Sequence, residues 1–81
     1  MKINVIVKLK KDVLDPQGLA IKNALTNLDF KNLNSVRQGK IFEIQIEEND
    51  KDKAFNQVEE MCKSLLTNSN VENYKINFDE E

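Results

Sequence analysis

Apolar and polar residues alternate along the first part of the chain, from Lys2 to Lys10. This period of two residues is typical of a β-strand with one buried face. The apolar positions of the repeat are Ile3, Val5, Val7 and Leu9. Ile6 is an apolar residue on the polar face. A single apolar residue on a solvent face is common and needs no special role, although a dimer surface would also use one.

A corner follows this strand between Asp12 and Gly18. Asp15 can accept a hydrogen bond from an unpaired N–H of a first helical turn, and Pro16 presets the helical φ where no N–H is needed. Gly18 lowers helix propensity by about 1 kcal/mol relative to Ala, so its presence suggests the close approach of another backbone or of a partner.

A helix is predicted from Pro16 to about Asp29. Its apolar residues recur at helical spacing and form a stripe that we expect to pack on a sheet. The stripe consists of Ile21, Ala24, Leu25 and Leu28. The helix should end near Asp29, which takes a position where glycine is the easier left-handed cap.

The remaining pattern predicts two strands, a second helix and a last strand. The strands are Leu33 to Gln38 and Ile41 to Glu47, joined at Gly39 and Lys40. Asn49 or Asp50 can cap the second helix, which runs to Thr67, and Val71 to Phe78 forms the last strand. The apolar stripe of this helix is Phe55, Val58, Met61, Cys62 and Leu65.

The predicted order is strand, helix, strand, strand, helix, strand over a single domain, residues 1–81. Right-handed crossovers in both halves give an α+β, ferredoxin-like antiparallel sheet with both helices on one face. This architecture serves metabolite sensors, RNA binders, small phosphatases and assembly modules, so it does not decide the function.

The amino-acid composition of the chain limits the classes of partner that it can be expected to bind. A chain of 81 residues with one cysteine and no histidine has no internal disulfide and no plausible zinc set, so self-association as a homodimer or larger is the expected source of extra burial. The net charge of −2, spread along the chain, argues against nucleic acid and anionic membranes. No long apolar run follows Met1, so we expect a cytoplasmic protein.

The sequence contains few side chains that could be catalytic. Cys62 lies on the apolar stripe and is interpreted as a small core side chain. Asp12 and Asp15 could share a metal or a proton, but Asp15 already has a helix to cap. Glu59 and Glu60 fit a solvated helix face, and Phe42, the aromatic available for stacking on RNA, is expected to point at the core.

The junction Arg37-Gln38-Gly39-Lys40 is different, because two cations flank a glycine where two predicted strands meet. Such an arrangement suits an anion or an acidic partner surface, since guanidinium and ammonium groups both pair with oxyanions. A solvated turn is the alternative interpretation.

Three segments together resemble the PurS family, the small subunit of phosphoribosylformylglycinamidine (FGAM) synthase in purine biosynthesis. They are Val13 to Gly18, Val36 to Glu43, and Met61 to Leu66 with Asn68, Val71, Glu72 and Tyr74. The resemblance runs essentially end to end. Two departures are Asp29, where the family usually has Gly, and Ser69, where it often has Pro.

The resemblance implies a non-catalytic adaptor that forms dimers. In such systems the subunit PurL uses ATP and Mg²⁺ to activate formylglycinamide ribonucleotide, the glutaminase PurQ releases ammonia, and PurS brings the two together. Carried over by position, the candidate contact residues are Asp15, Pro16, Gln17, Gly18, Arg37, Gly39 and Lys40.

Two other classes stay open. A dimeric domain that senses a small molecule would share the fold, although nothing in the sequence selects a ligand. A small stand-alone enzyme would have to work through Arg37, Lys40, Asp12 or Asp15.

Overall fold

The computed structural model describes residues 1–79 and contains a three-stranded antiparallel sheet in the order β2-β1-β3. The elements in chain order are β1 (Lys2–Leu9), α1 (Pro16–Asn27), β2 (Gly39–Gln45), α2 (Lys51–Met61), a π-helical turn (Cys62–Leu66) and β3 (Glu72–Phe78). The central strand pairs with both others, so that Val5 lies between Phe42 of β2 and Ile76 of β3. The predicted α+β class and antiparallel sheet are confirmed.

The strand predicted from Leu33 to Gln38 is not formed, and the sheet has three strands instead of four. Among the described residues β2 and β3 each pair only with β1, so their outer edges carry no further strand. Residues 34–37 run instead beside the start of α1, where they line a cavity of about 190 Å³ with Leu14 and Leu19. This extended, partly apolar segment therefore packs against the start of α1 instead of joining the sheet.

The core lies between the sheet and α2. Its fully buried side chains come from alternate positions of β1 and from one face of the second helical segment: Ile3, Val5, Val7, Ala54, Val58 and Cys62. The predicted cap of α2 is Asp50, whose Oδ1 accepts from the N–H groups of Asp52 at 2.9 Å and Lys53 at 3.3 Å. The interpretation of Cys62 as a core side chain is confirmed.

The second helix changes its winding where it reaches Cys62. The N–H of Thr67 donates to the carbonyl of Cys62 at 3.0 Å, a bond across five residues that widens the turn. In the wider turn Cys62 is buried and Leu66 packs against the core, whereas Leu65 is 84% exposed. Phe55, Met61 and Leu65 were expected on the buried stripe, and that expectation is wrong for all three, which are exposed. The buried positions instead recur every four residues, at Ala54, Val58 and Cys62.

Helix α1 does not pack on the sheet as expected, and Gly18 is its buried residue. The predicted stripe is present but faces outward; with Phe30 it forms what we call the α1 apolar face: Ile21, Ala24, Leu25, Leu28 and Phe30. Leu28 is 68% exposed and Phe30 is 55% exposed. The radius of gyration is 16.1 Å, against about 12 Å for a compact domain of this length, because α1 extends away from the core.

The C-terminus of α1 is closed by a Schellman motif. The N–H of Asp29 donates to the carbonyl of Thr26, and the N–H of Phe30 donates to that of Leu25, both at 3.1 Å. Asp29 occupies the left-handed region with φ 75°. The predicted helix end is confirmed, with a residue that pays a steric cost glycine would avoid.

We expect Asp29→Gly to stabilise the protein by roughly 0.5–1 kcal/mol, since glycine relieves the left-handed strain at Asp29. Thermal or urea unfolding at neutral pH measures the effect. Asn27→Gly, two residues earlier and inside the helix, is the matched control and should destabilise by a similar amount. Equal destabilisation by both substitutions would contradict the account of this cap.

Candidate functional site

The carboxylate of Asp15 joins the corner to the junction at Gln38, which is 23 residues further along the chain. Its Oδ1 accepts from the N–H of Gly18 at 2.9 Å, and its Oδ2 accepts from the N–H of Gln38 at 2.8 Å. The first bond caps α1, as predicted, and the second fixes the residue that precedes β2. One side chain, only 6% exposed, therefore holds the start of the helix against the start of the strand.

These bonds lower the pKa of Asp15 below its ordinary value of 3.8. The largest cause is the Gln38 N–H, followed by the Gly18 N–H, because both donate to the ionised form; desolvation opposes them, and the Arg37 charge adds a smaller lowering. The carboxylate is thus ionised at neutral pH and works as a double acceptor.

Gly18 is required by the packing of the same corner. A Cβ at this position would lie 2.2 Å from the carbonyl oxygen of Val36 and 2.7 Å from Oδ2 of Asp15. The expectation that Gly18 allows another backbone to come close is confirmed, and that backbone belongs to the same chain. Pro16 occupies the first turn of α1, where its missing N–H costs no hydrogen bond.

A cavity of about 260 Å³ lies beside this corner on the side of the sheet that faces α2. It brings together four of the predicted contact residues, with Val7, Leu9, Gln38 and Glu72 as the rest of its wall: Asp15, Gln17, Gly39 and Lys40. Pro16, Gly18 and Arg37 are not part of this wall. A Cβ at Gly39 would lie 2.6 Å from the carbonyl oxygen of Val7, so glycine permits the close strand pairing at the edge of the cavity.

The two cations of the junction point in different directions. Lys40 pairs with Val7 in the sheet and so shares its core-facing side, where its Nζ lies 3.5 Å from Oε2 of Glu72 and 5.6 Å from the centre of the Phe42 ring. Arg37 instead donates from Nη2 to the carbonyl of Lys10 at 3.0 Å. The structure therefore does not bring Arg37 and Lys40 into one anion site.

The side chains around this corner offer hydrogen bonds and charge. Within residues 1–79 no group of three His, Cys, Asp or Glu residues is placed to hold a metal ion. Burial, and to a smaller degree the charge of Glu59, raises the pKa of the Cys62 thiol, which disfavours the nucleophilic thiolate. Among the described helices, none combines the length and hydrophobicity that a bilayer crossing requires.

Sequence reasoning missed the role of Gln38, whose backbone N–H reaches Asp15. No spacing rule could have found it, since the partner is a main-chain group 23 residues away. It also missed the outward direction of the α1 apolar face. The apolar stripe in the sequence indicated that this side of α1 would be buried. It could not indicate whether the same chain or another chain would bury it.

The chain is similar to known proteins over nearly its whole length. The sequence profile of PurS, described as phosphoribosylformylglycinamidine (FGAM) synthase, matches residues 2–80. The chain belongs to the PurS family. Its resemblance to PurS in the three sequence segments is thereby confirmed.

PurS proteins of individual organisms are similar in sequence to this chain over nearly its whole length. The phosphoribosylformylglycinamidine synthase subunit PurS of Methanocaldococcus jannaschii is 44% identical over 75 residues, which cover 93% of this chain and 90% of that protein. The PurS of Bacillus subtilis is 42% identical over 79 residues, covering 98% and 93%.

Solved PurS structures share the fold. The M. jannaschii PurS crystal structure, a subunit of formylglycinamide ribonucleotide amidotransferase, has a TM-score of 0.85 at 46% identity and covers 94% of this chain and 92% of its own. A chain in the PurLQS structure from Thermotoga maritima has a TM-score of 0.86 at 30% identity, with coverage of 94% and 93%. The contact role of Asp15 to Gly18 and of Arg37, Gly39 and Lys40 stays a prediction.

Substituting Asp15 by Asn should lower the melting temperature at neutral pH by at least about 5 °C. Asn can still cap Gly18, but its amide nitrogen is a donor and would then face the Gln38 N–H. Because the folded pKa of Asp15 lies below 3.8, its stabilisation is complete above the unfolded pKa and is lost as pH falls through the folded pKa.

The gap in melting temperature between the parent and Asp15→Asn should therefore be constant above about pH 5 and shrink on further acidification below pH 4. Thermal unfolding followed by circular dichroism across this range measures it. Asp12→Asn removes an exposed carboxylate from the same corner and is the control for a simple loss of charge. A gap that widens at low pH would rule out the proposed role of the ionised Asp15.

Proposed function

We propose that this chain is the non-catalytic adaptor subunit of an FGAM synthase complex in purine biosynthesis. In this role it brings the glutaminase PurQ and the synthetase PurL together, so that ammonia released from glutamine reaches the activated formylglycinamide ribonucleotide. ATP and Mg²⁺ belong to the PurL subunit. The site of action is the cytoplasm.

The observation that carries this proposal is the α1 apolar face. A helix that turns Ile21, Leu25, Leu28 and Phe30 away from its own core needs another polypeptide to bury them. The PurLQS assembly of T. maritima contains a chain of the same fold, which supports an assembly role. The lack of an assembled catalytic group in residues 1–79 favours a structural contribution over a chemical one.

A second copy of this chain is the proposed occupant of the α1 apolar face. The core contains six fully buried side chains, a small number for a domain that must fold by itself. The face carries no charged residue, so two copies can meet there without burying an unpaired charge. Dimerisation would add apolar burial that stabilises each copy before PurL and PurQ bind.

The double variant Ile21→Ser and Leu28→Ser should shift the protein from an oligomer to a monomer. Light scattering coupled to gel filtration measures the mass, and circular dichroism checks that the helices remain. Asn23→Ser with Asn27→Ser, on the opposite face of α1, is the matched control and should keep the parent mass. An unchanged oligomer in the first variant would place the contact elsewhere.

Reconstitution with PurL and PurQ of the same organism tests the adaptor function. Glutamine-dependent synthase turnover should require this chain, whereas turnover with ammonium salt should persist better without it, because free ammonia needs no delivery between subunits. The chain should also co-elute with PurL.

If the chain changes neither activity and does not co-elute, the adaptor function is wrong. A rise in melting temperature with a small metabolite would then favour the sensor class. Turnover by the isolated chain that Lys40→Ala abolishes would favour a small enzyme.

A further inference from the structure

A third cavity, of about 240 Å³, opens on the other side of the β1–β2 pair. Three of the residues around it are cationic and none is acidic: Lys8, Leu9, Lys11, Arg37, Gln38 and Gly39. Lys8 pairs directly with Gly39, so it lies on the face of the sheet opposite to Val7 and the core. Arg37 therefore has Lys8 and Lys11 as neighbours, and Lys40 lies across the sheet.

Two of the three charges of this cluster are uncompensated. Lys8 and Lys11 are exposed, and within residues 1–79 neither lies within 4.0 Å of a carboxylate oxygen. Arg37 is partly compensated by the charge of Asp15, whose pKa it lowers. In contrast, Lys40 is paired with Glu72.

An apolar pair adjoins the cations on the same face of the sheet. Ile6 and Ile41 are directly paired two positions along β1 from Lys8, and Ile41 is 61% exposed. An apolar centre with a charged rim is the usual anatomy of a protein–protein interface. This explains Ile6, the apolar residue that interrupts the polar face of the first strand.

The alternatives are a protein and a small oxyanion such as a phosphate. A phosphate site needs donors held in place, and of the three cations Arg37 alone has a hydrogen bond that anchors it. The two lysines are mobile point charges, which suit steering towards an acidic surface. The apolar pair of half-buried Ile6 and exposed Ile41 has no use in binding a phosphate.

We propose that this end of the open sheet face docks an acidic segment of a protein partner, with carboxylates meeting Lys8, Lys11 and Arg37 and an apolar side chain meeting Ile6 and Ile41. The inference rests on the adaptor function and adds to it the chemistry of one contact surface. It is separate from the α1 apolar face, which we assign to a second copy.

The test compares two double variants with the same change of charge. Lys8→Glu with Lys11→Glu alters the cluster, and Lys31→Glu with Lys53→Glu alters exposed lysines outside it. Surface plasmon resonance with immobilised PurL and PurQ of the same organism gives the association rates. At about 50 mM NaCl the first variant should associate at least about 10-fold more slowly than the parent, and the difference should shrink at about 300 mM.

The control variant should associate like the parent at both salt concentrations. If the two double variants associate equally well while the parent binds, this docking surface is wrong and the adaptor function stands. If the parent binds neither subunit, the adaptor function itself fails. Chemical-shift changes at Lys8, Lys11 and Arg37 on adding millimolar pyrophosphate, with normal association of the first variant, would replace the proposal by a small-anion site.

Discussion

The two hydrogen bonds accepted by Asp15 decide the shape of this molecule. They join the N–H of Gly18, in the first turn of α1, to the N–H of Gln38, which precedes β2. An ionised carboxylate is suited to this position because it offers an acceptor to each of two donors that would otherwise be unpaired. The chain between these points can then be long and irregular without loosening the fold.

The position of α1 follows from that bridge. Residues 34–37 lie along the start of the helix, with the carbonyl of Val36 in the space that a side chain at Gly18 would need. They are consequently unavailable as a fourth strand that would widen the sheet and offer a surface for α1. The helix keeps its own Schellman cap but not an internal packing partner. The contacts of Asp15 thus leave exposed the apolar surface that we assign to a second copy of the chain.

The sequence predicted the features that local chemistry determines. The alternation of β1, the caps at Asp15 and Asp50 and the end of α1 at Asp29 each depend on neighbouring residues, and each is confirmed. The predictions that failed concern how each segment packs against the rest of the molecule. Leu33 to Gln38 does not form a strand because residues 34–37 are held beside the start of α1. Phe55, Met61 and Leu65 are exposed because the buried positions of the second helix recur every four residues, at Ala54, Val58 and Cys62.

The candidate contact residues divide in the same way. The local role of each segment could be predicted, because Asp15 and Pro16 form a recognisable helix cap and Arg37 and Lys40 flank a glycine, but the sequence did not show that the two segments meet. The directions of their side chains could not be predicted, since they depend on the register Lys8–Gly39 and Val7–Lys40. One step along the strand moves a side chain to the other face of the sheet. That register places Lys40 beside Glu72, whereas Lys8 and Arg37 line one cavity on the other side. Arg37 and Lys40 are close in sequence and yet belong to two different surfaces.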